Sequence, residues 1–137
     1  VFWNVDSVGR ICKDKRIIYK PNGHRDHDAR TYSQYKTRDG YRGRCLFGIQ
    51  DARWVVESEK TAICCALYFG GDWAATGGKN NTSLINDEHI LFPDVDAYQE
   101  WEKRFPGQCV KWWERLSYNY GEKDDLADYI FKKLENG

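Results

Sequence analysis

The chain has 137 residues, of which 41% are hydrophobic and 15% aromatic, so it is long enough to bury the core of one domain. No apolar run approaches the roughly 18 residues of a membrane-spanning helix, and no signal peptide is visible, so we expect a cytoplasmic protein without a membrane partner. The formal net charge is zero. Because the chain begins at Val1 and contains no methionine, we expect a fragment of a longer protein.

The zero net charge conceals an uneven distribution along the chain. Residues 1–48 contain eleven Lys and Arg against five Asp and Glu, whereas residues 49–137 contain ten against sixteen. A basic part joined to an acidic part favours a protein that attracts a polyanion with one and binds cations with the other. We therefore divide the chain into a basic, β-rich N-terminal segment, residues 1–48, and a second domain, residues 49–137.

The cysteines exclude a zinc ribbon. No two of them form a Cys-x-x-Cys pair, which such a site needs. Their odd number favours reduced, mostly buried thiols over disulfides. The five cysteines are at positions 12, 45, 64, 65 and 109.

The N-terminal segment predicts a β-hairpin followed by a loop. Residues 1–5 and 16–20 are rich in strand-forming side chains, and residues 6–9 carry a turn signal between them. Residues 21–44 are polar and rich in turn residues, which indicates a loop or a β-ribbon.

From Trp54 onward, short apolar runs alternate with helical patterns. This alternation predicts an α/β fold with a parallel sheet flanked by helices. Ser58 can cap the first helix, and Gly70 and Gly71 can end it. The predicted strands are 54–56, 73–75 and 89–92, with a candidate fourth strand at 110–113. The predicted helices are about 59–69, 97–105 and 124–134.

Acidic side chains follow two of these strands. Glu57 follows the first strand, the Gly77-Gly78 turn follows the second, and Asp94 and Asp96 follow the third. Ligands of parallel sheets bind at the carboxyl ends of the strands, and converging carboxylates with water and phosphate suit Mg²⁺. The alternative is that these acids are helix N-caps, which the helix dipole also favours.

The order of these segments resembles the Toprim signature shared by DnaG-type primases, topoisomerases and some nucleases. Residues 55–58, Val-Val-Glu-Ser, resemble its strand–Glu–Gly motif, with Ser58 in place of the usual glycine. Residues 75–78, Ala-Thr-Gly-Gly, are similar to its small-residue turn, and residues 92–96, Phe-Pro-Asp-Val-Asp, to its Asp-x-Asp motif. Residues 125–130 resemble the acidic stretch before the last helix of primase Toprim domains.

The resemblance extends upstream and also has gaps. Residues 1–10 and 45–49 are similar to the basic segment that precedes Toprim in DnaG-type primases. The sequences of residues 56–62 and 75–78 most resemble those of primase-like Toprim proteins of conjugative elements and phages. Thr61 stands where an acidic residue is often found, and the zinc-binding module and helicase of full primases are missing.

The resemblance implies nucleotidyl transfer or phosphodiester chemistry assisted by Mg²⁺ or Mn²⁺. Glu57, Asp94 and Asp96 would bind the metal, and Glu57 would otherwise act as a general acid or base. The implied partners are single-stranded DNA, nucleotides and a replicative helicase. One alternative is a non-catalytic Toprim-like module that binds nucleic acid. A haloacid-dehalogenase-like phosphatase ranks last, because it needs an aspartate where this chain has Glu57.

Basic side chains interleaved with tyrosines predict a nucleic-acid surface, with the basic groups on phosphates and the rings on unpaired bases. The same residues are also compatible with a solvated, basic hairpin. His24 and His27 are spaced like a metal pair, but without neighbouring ligands we expect exposed loop histidines. The nucleic-acid candidates are Lys13, Lys15, Arg16, Arg42, Arg44, Lys60 and Lys79.

Overall fold

The computed structural model describes residues 1–5, 11–32, 46–48 and 52–137. These residues form a mixed α/β fold in which helices flank a six-stranded sheet of order β2-β1-β3-β5-β4-β6. The strands are β1 (Phe2–Val5), β2 (Ile11–Lys15), β3 (Leu46–Gly48), β4 (Trp54–Val56), β5 (Trp73–Ala75) and β6 (Ile90–Phe92).

The three predicted strands from Trp54 to Phe92 form the parallel part of the sheet. β4 is central, with β5 on one side and β6 on the other. Val55 pairs with Ala74 and with Leu91, and all three side chains are fully buried. The prediction that residues 54–56 and 90–92 are neighbouring parallel strands is confirmed, so their carboxyl ends meet at one sheet edge.

The N-terminal strands extend the same sheet in antiparallel fashion. β3 pairs with β5, β1 pairs with β3, and β2 pairs with β1. Gly48 is required at the β3–β5 junction, because its φ is +101° and a Cβ there would lie 2.5 Å from the Trp73 carbonyl oxygen. The sheet is therefore mixed, whereas the sequence predicted a parallel sheet with a β-rich piece beside it.

The predicted position of the second N-terminal strand, residues 16–20, is wrong. That strand is β2 at residues 11–15, whereas residues 16–20 make only isolated bridges, from Arg16 to Tyr32 and from Tyr19 to Arg25. Residues 16–32 instead form an excursion closed by those bridges, so long-range pairing overrides the strand propensity of residues 16–20. The predicted turn at residues 6–9 lies outside the described residues.

The helices begin and end at recognisable caps. In α1 (Glu59–Phe69), the Ser58 side chain accepts a hydrogen bond from the Thr61 amide and Gly70 ends the helix at a φ of +74°, as predicted. In α4 (Leu126–Asn136), Asp125 and Asp128 form a reciprocal capping box. The shorter helices are α2 (Tyr98–Arg104), preceded by a 3-10 turn at Val95–Ala97, and α3 (Trp112–Arg115).

The sheet has a hydrophobic core on each face. One core combines Val56, Trp73 and Ala75 with side chains of α1, α3 and α4. The other combines Val55, Ala74 and Leu91 with Trp101 of α2. No helix in the described residues is long and apolar enough to cross a membrane.

The possible fourth strand at residues 110–113 is wrong. Cys109 makes a single parallel bridge to Leu91, and α3 begins at Trp112. Trp112 and Trp113 are both buried in the same core, which consecutive residues of a strand cannot achieve because they point to opposite faces. Trp112 also donates a hydrogen bond from its Nε1 to the Pro93 carbonyl at 2.7 Å.

Candidate functional site

A polar cleft of about 460 Å³ lies at the carboxyl ends of the three parallel strands. Glu57 follows β4, the Gly77-Gly78 turn follows β5, and Asp94 follows β6. The cleft also includes the N-terminal ends of α1 and α4 and part of the excursion at residues 16–32. Its lining residues are Lys15, Ile17, Tyr19, His24, Arg25, His27, Glu57, Ser58, Glu59, Lys60, Gly77, Gly78, Asp94, Lys123, Asp125 and Asp128.

Glu57 and Asp94 form a close carboxyl pair in this cleft. Burial raises the pKa of Asp94 to about 9, with the Glu57 carboxylate adding to the effect. Burial also raises the pKa of Glu57, and the charge of Asp96 acts in the same direction. Because two like charges this close cannot both ionise cheaply, the raised pKa values favour a pair that retains one proton at neutral pH.

Neither member of the pair acts as a helix cap. Ser58, the residue after Glu57, caps α1, and the Asp94 side chain makes no capping hydrogen bond to the 3-10 turn that follows it. The Oε2 atom of Glu57 is buried and has no hydrogen-bond partner among the described residues. Such an orphaned carboxylate oxygen is costly unless a cation or a substrate group satisfies it.

Asp96 is less central than the other two predicted acids. It is exposed, lies in the first turn after Asp94 and does not line the cleft. Its charge still raises the pKa of both Glu57 and Asp94. The structure therefore brings Glu57 and Asp94 together and leaves Asp96 at the rim.

Asp125 is a cleft residue that the analysis of strand ends missed. One of its carboxylate oxygens accepts from the Asp128 amide at 3.0 Å, and the other accepts from the Thr61 hydroxyl at 3.0 Å. These bonds tie the N-terminal ends of α1 and α4 together, and the Asp125 charge raises the pKa of Asp94. The Asp-x-x-Asp capping pattern at residues 125–128 was the available sequence signal.

The turn after β5 is fastened to the strand next to it. The Gly77 amide donates to the Glu57 carbonyl at 2.8 Å, and the buried Thr76 hydroxyl donates to the Gly78 carbonyl at 2.8 Å. Gly77 has a φ of +80°, and a Cβ there would lie 2.9 Å from Glu59 Oε1. Only glycine fits this turn without displacing the Glu59 side chain.

Lys15 connects β2 to this turn. Its Nζ lies 3.0 Å from Glu59 Oε1 and donates to the Gly77 carbonyl at 2.8 Å. The Glu59 side chain is 1% exposed, so Lys15 neutralises a buried charge. Lys15 was predicted to contact nucleic acid, but its ammonium group is bound to Glu59 and to the Gly77 carbonyl.

The other predicted nucleic-acid residues have different surroundings. Arg16 donates to the buried Asp14 carboxylate at 2.6 Å. Lys60 lines the cleft. The Nζ of Lys79 lies 3.8 Å from Oε2 of Glu100, and the charge of Lys79 lowers the pKa of Glu57. Arg42, Arg44 and the side chain of Lys13 lie outside what the structure describes.

The excursion at residues 16–32 brings further groups to the cleft. Its cleft-lining side chains include Arg25, His24, His27 and Tyr19, and Lys123 approaches from the loop before α4. The histidines are exposed, as predicted, and their position at the cleft was not foreseen. Cations thus line the same cleft as the carboxylates.

The donor groups of the cleft fit Mg²⁺ that is bound through two carboxylates together with water and phosphate. Among the described residues, no three His, Cys, Asp or Glu side chains are grouped closely enough to bind a metal ion by themselves. Mg²⁺ is usually bound through one or two carboxylates together with water and substrate phosphates. Two adjacent carboxyl groups with a buried, unpaired oxygen on Glu57 match that donor set.

A family model described as domain of unknown function DUF6371 matches residues 1–95. The chain belongs to the DUF6371 family. The region that matches DUF6371 contains the six strands of the described sheet together with Glu57 and Asp94, and ends before α2, α3 and α4. A search of curated proteins and a search of solved structures each find no match.

Proposed function

We propose that this chain is a Toprim-like, Mg²⁺-dependent domain for nucleotidyl transfer or phosphodiester chemistry in a primase-like replication protein of a mobile element or phage. The observation that carries the proposal is the partly buried Glu57–Asp94 pair at the carboxyl ends of parallel strands, in which the buried Oε2 of Glu57 has no hydrogen-bond partner among the described residues. The resemblance of residues 55–58, 75–78 and 92–96 to the Toprim motifs supports it.

Glu57 and Asp94 would bind the metal, with Asp96 contributing from the rim. When bound there, Mg²⁺ or Mn²⁺ would neutralise phosphate oxygens and stabilise the charge that develops during phosphoryl transfer. Asp94 would lose its proton on metal binding, because only the ionised carboxylate is a good ligand. Metal affinity should therefore rise with pH.

Glu57 is also suited to move a proton. Its pKa is raised by burial, which brings a carboxyl group closer to the range where a general acid or base works at neutral pH. In this role Glu57 would accept a proton from an attacking hydroxyl, while Asp94 would remain a ligand of the metal that neutralises the phosphate oxygens. A Glu57→Gln variant would then keep its substrate affinity and lose turnover.

The mixed charge of the cleft supports a polyanionic substrate. Arg25, Lys60 and Lys123 line the cleft that holds Glu57 and Asp94, so basic groups can contact phosphates flanking the reacting one. Single-stranded DNA and nucleotides fit this arrangement, and a replicative helicase would be a partner of the longer protein.

Isothermal titration of Mg²⁺ and Mn²⁺ tests the proposal. An Asp94→Asn/Asp96→Asn double variant should lose the binding heat of the wild type. The matched control is Asp72→Asn/Asp87→Asn, which removes two exposed carboxylates that do not line the cleft and should titrate like the wild type. Equal titrations of all three proteins, or no heat in the wild type, would refute the metal site.

A second candidate is a Toprim-like module that binds nucleic acid without turnover. Thr61, where related domains often have an acid, is hydrogen-bonded to Asp125, so its side chain supplies no further carboxylate. Assays of primer synthesis and strand cleavage with Glu57→Gln distinguish the candidates. An enzyme should lose activity in this variant and retain DNA binding, whereas a binding module should show no activity even as the wild type.

A further inference from the structure

A second concave site lies away from the carboxylates. It is a groove of about 350 Å³ on the face of the sheet covered by α1 and α4. This volume lies at the lower end of the range of small-molecule pockets, roughly 300–1,000 Å³. The lining of the groove is apolar apart from Arg115 and includes Trp54, Trp73, Phe92, Trp112 and Leu116.

The aromatic walls of the groove are held in place by contacts outside it. Trp73 donates from Nε1 to the Gly70 carbonyl at 3.0 Å, and Trp112 donates from Nε1 to the Pro93 carbonyl at 2.7 Å. The Trp54 ring lies directly over Gly71, where a Cβ would overlap it. Trp73 and Trp112 are themselves buried and fix the floor of the groove, whereas the partly exposed rings of Trp54 and Phe92 offer apolar surface to a ligand.

Arg115 supplies the charge of the groove. It is the sole ionisable residue among the lining residues, it is exposed, and it forms no ion pair within the described part of the chain. A guanidinium beside aromatic faces favours an anionic group on a ligand whose body is apolar. The groove thus differs in chemistry from the carboxylate cleft.

We propose that this groove binds a small anion with a flat aromatic body, the body resting against Trp54, Trp73 and Phe92 and the anionic group meeting Arg115. A second copy of this chain or an apolar segment of a partner protein would cover the groove without preferring an anionic over a neutral small ligand, and the experiment below separates these occupants. The proposal does not depend on the phosphodiester chemistry proposed above.

Two dyes with the same aromatic body test this site. Anilinonaphthalene sulfonate carries an anionic group, and phenylnaphthylamine is its neutral counterpart. The wild type should bind the sulfonate at one site, about fivefold more tightly than the neutral dye, which is what one exposed charge pair contributes at most. Arg115→Gln should remove that preference and leave neutral-dye binding unchanged, because it leaves the aromatic walls intact.

Two further variants complete the experiment. Lys103→Gln, which removes an exposed cation from α2 on the other face of the sheet, should behave like the wild type. Leu116→Trp should narrow the groove and weaken both dyes. The proposal is wrong if neither dye binds, if Arg115→Gln keeps the preference, or if chain self-association competes with the dye.

Discussion

Asp94 is the residue whose chemistry depends most on its surroundings. In water its carboxyl would ionise near pH 4, whereas in the cleft burial and Glu57 raise its pKa to about 9. The folded protein therefore binds this proton more tightly than the unfolded chain does. Its contribution to stability is fully present below about pH 4 and is lost as the pH rises toward 9.

Asp94→Asn should therefore change how stability depends on pH in the absence of metal. We expect the variant to be more stable than the wild type at pH 8–9, by about 2 kcal/mol, since the wild type must then either keep a proton that the unfolded chain has lost or accept two close carboxylates, whose repulsion is up to roughly 4 kcal/mol. At pH 5 the difference should shrink. Urea unfolding across this pH range measures it.

The control for this experiment is Asp87→Asn, which neutralises an exposed carboxylate outside the cleft and should follow the wild-type profile. Mg²⁺ should raise the melting temperature of the wild type at pH 8 and have less effect on Asp94→Asn. Parallel pH profiles for the wild type and Asp94→Asn would show that this carboxyl is not protonated in the cleft.

The turn after β5 is the element on which the cleft depends. It carries Gly77 between two strand ends, accepts a hydrogen bond from Lys15 at 2.8 Å and donates one to the Glu57 carbonyl at 2.8 Å. A change in this turn would shift the backbone of Glu57 directly. Its geometry requires both a positive φ and the absence of a Cβ.

A comparison of Gly77→Ala with Gly23→Ala separates these two requirements. Gly77 and Gly23 have φ values of +80° and +83°, but only at Gly77 does a Cβ meet another atom, Glu59 Oε1 at 2.9 Å. Gly23→Ala should cost about 1 kcal/mol for the left-handed backbone. Gly77→Ala should cost about 1–3 kcal/mol more, because Glu59 must move and strain or lose its ion pair with Lys15.

Chemical denaturation of the two variants measures both losses, and Mg²⁺ titration reports whether the cleft is disturbed. We expect Gly77→Ala alone to weaken the metal response. Equal losses of stability in the two variants would mean that the turn tolerates the extra methyl group and that the packing against Glu59 is loose.

At the scale of the whole molecule, the sheet brings distant strands to one cleft. β2 is separated from β5 by β1 and β3, which in a flat sheet is roughly 14 Å. Lys15 of β2 nevertheless reaches Gly77, the second residue after β5, at 2.8 Å. The long Lys15 side chain and the turn after β5 therefore bridge strands that are not neighbours, so that the basic N-terminal part meets the acidic strand ends.

This arrangement predicts which lysines contact nucleic acid. Lys123 lines the cleft and is exposed, whereas Lys15 is paired with the buried Glu59. Lys123→Met should reduce the salt dependence of single-stranded DNA binding by about 0.7 log units per log salt, the effect of one phosphate contact. Lys15→Met should leave that slope unchanged and lower the stability of the domain.

Fluorescence anisotropy at several salt concentrations gives these slopes, with Lys103→Met as the control on the other face of the sheet. If Lys15→Met changes the slope and Lys123→Met does not, the assignment of the two lysines is reversed. If DNA does not bind even at low salt, the nucleic-acid part of the proposed function is wrong.

Much of the local structure was determined by the sequence alone. The apolar runs at 54–56, 73–75 and 90–92 have no polar face, and their shortness and the turn residues near them favour buried strands over helices. Ser58 and Gly70 limit α1 because a capping hydroxyl and a left-handed glycine act on their own backbone neighbours. The acids at strand ends followed from the same local logic, since parallel strands present their carboxyl ends together.

Only the tertiary structure decided which distant residues meet. Lys15 bonds to Glu59 across 44 residues, and Thr61 bonds to Asp125 across 64. The structure also decided that residues 112–115 form a helix, because both tryptophans had to enter one core, and that β3 joins β5 in antiparallel fashion. Strand order and twist set these contacts, and they depend on the packing of all elements at once, which no local pattern of residue types contains.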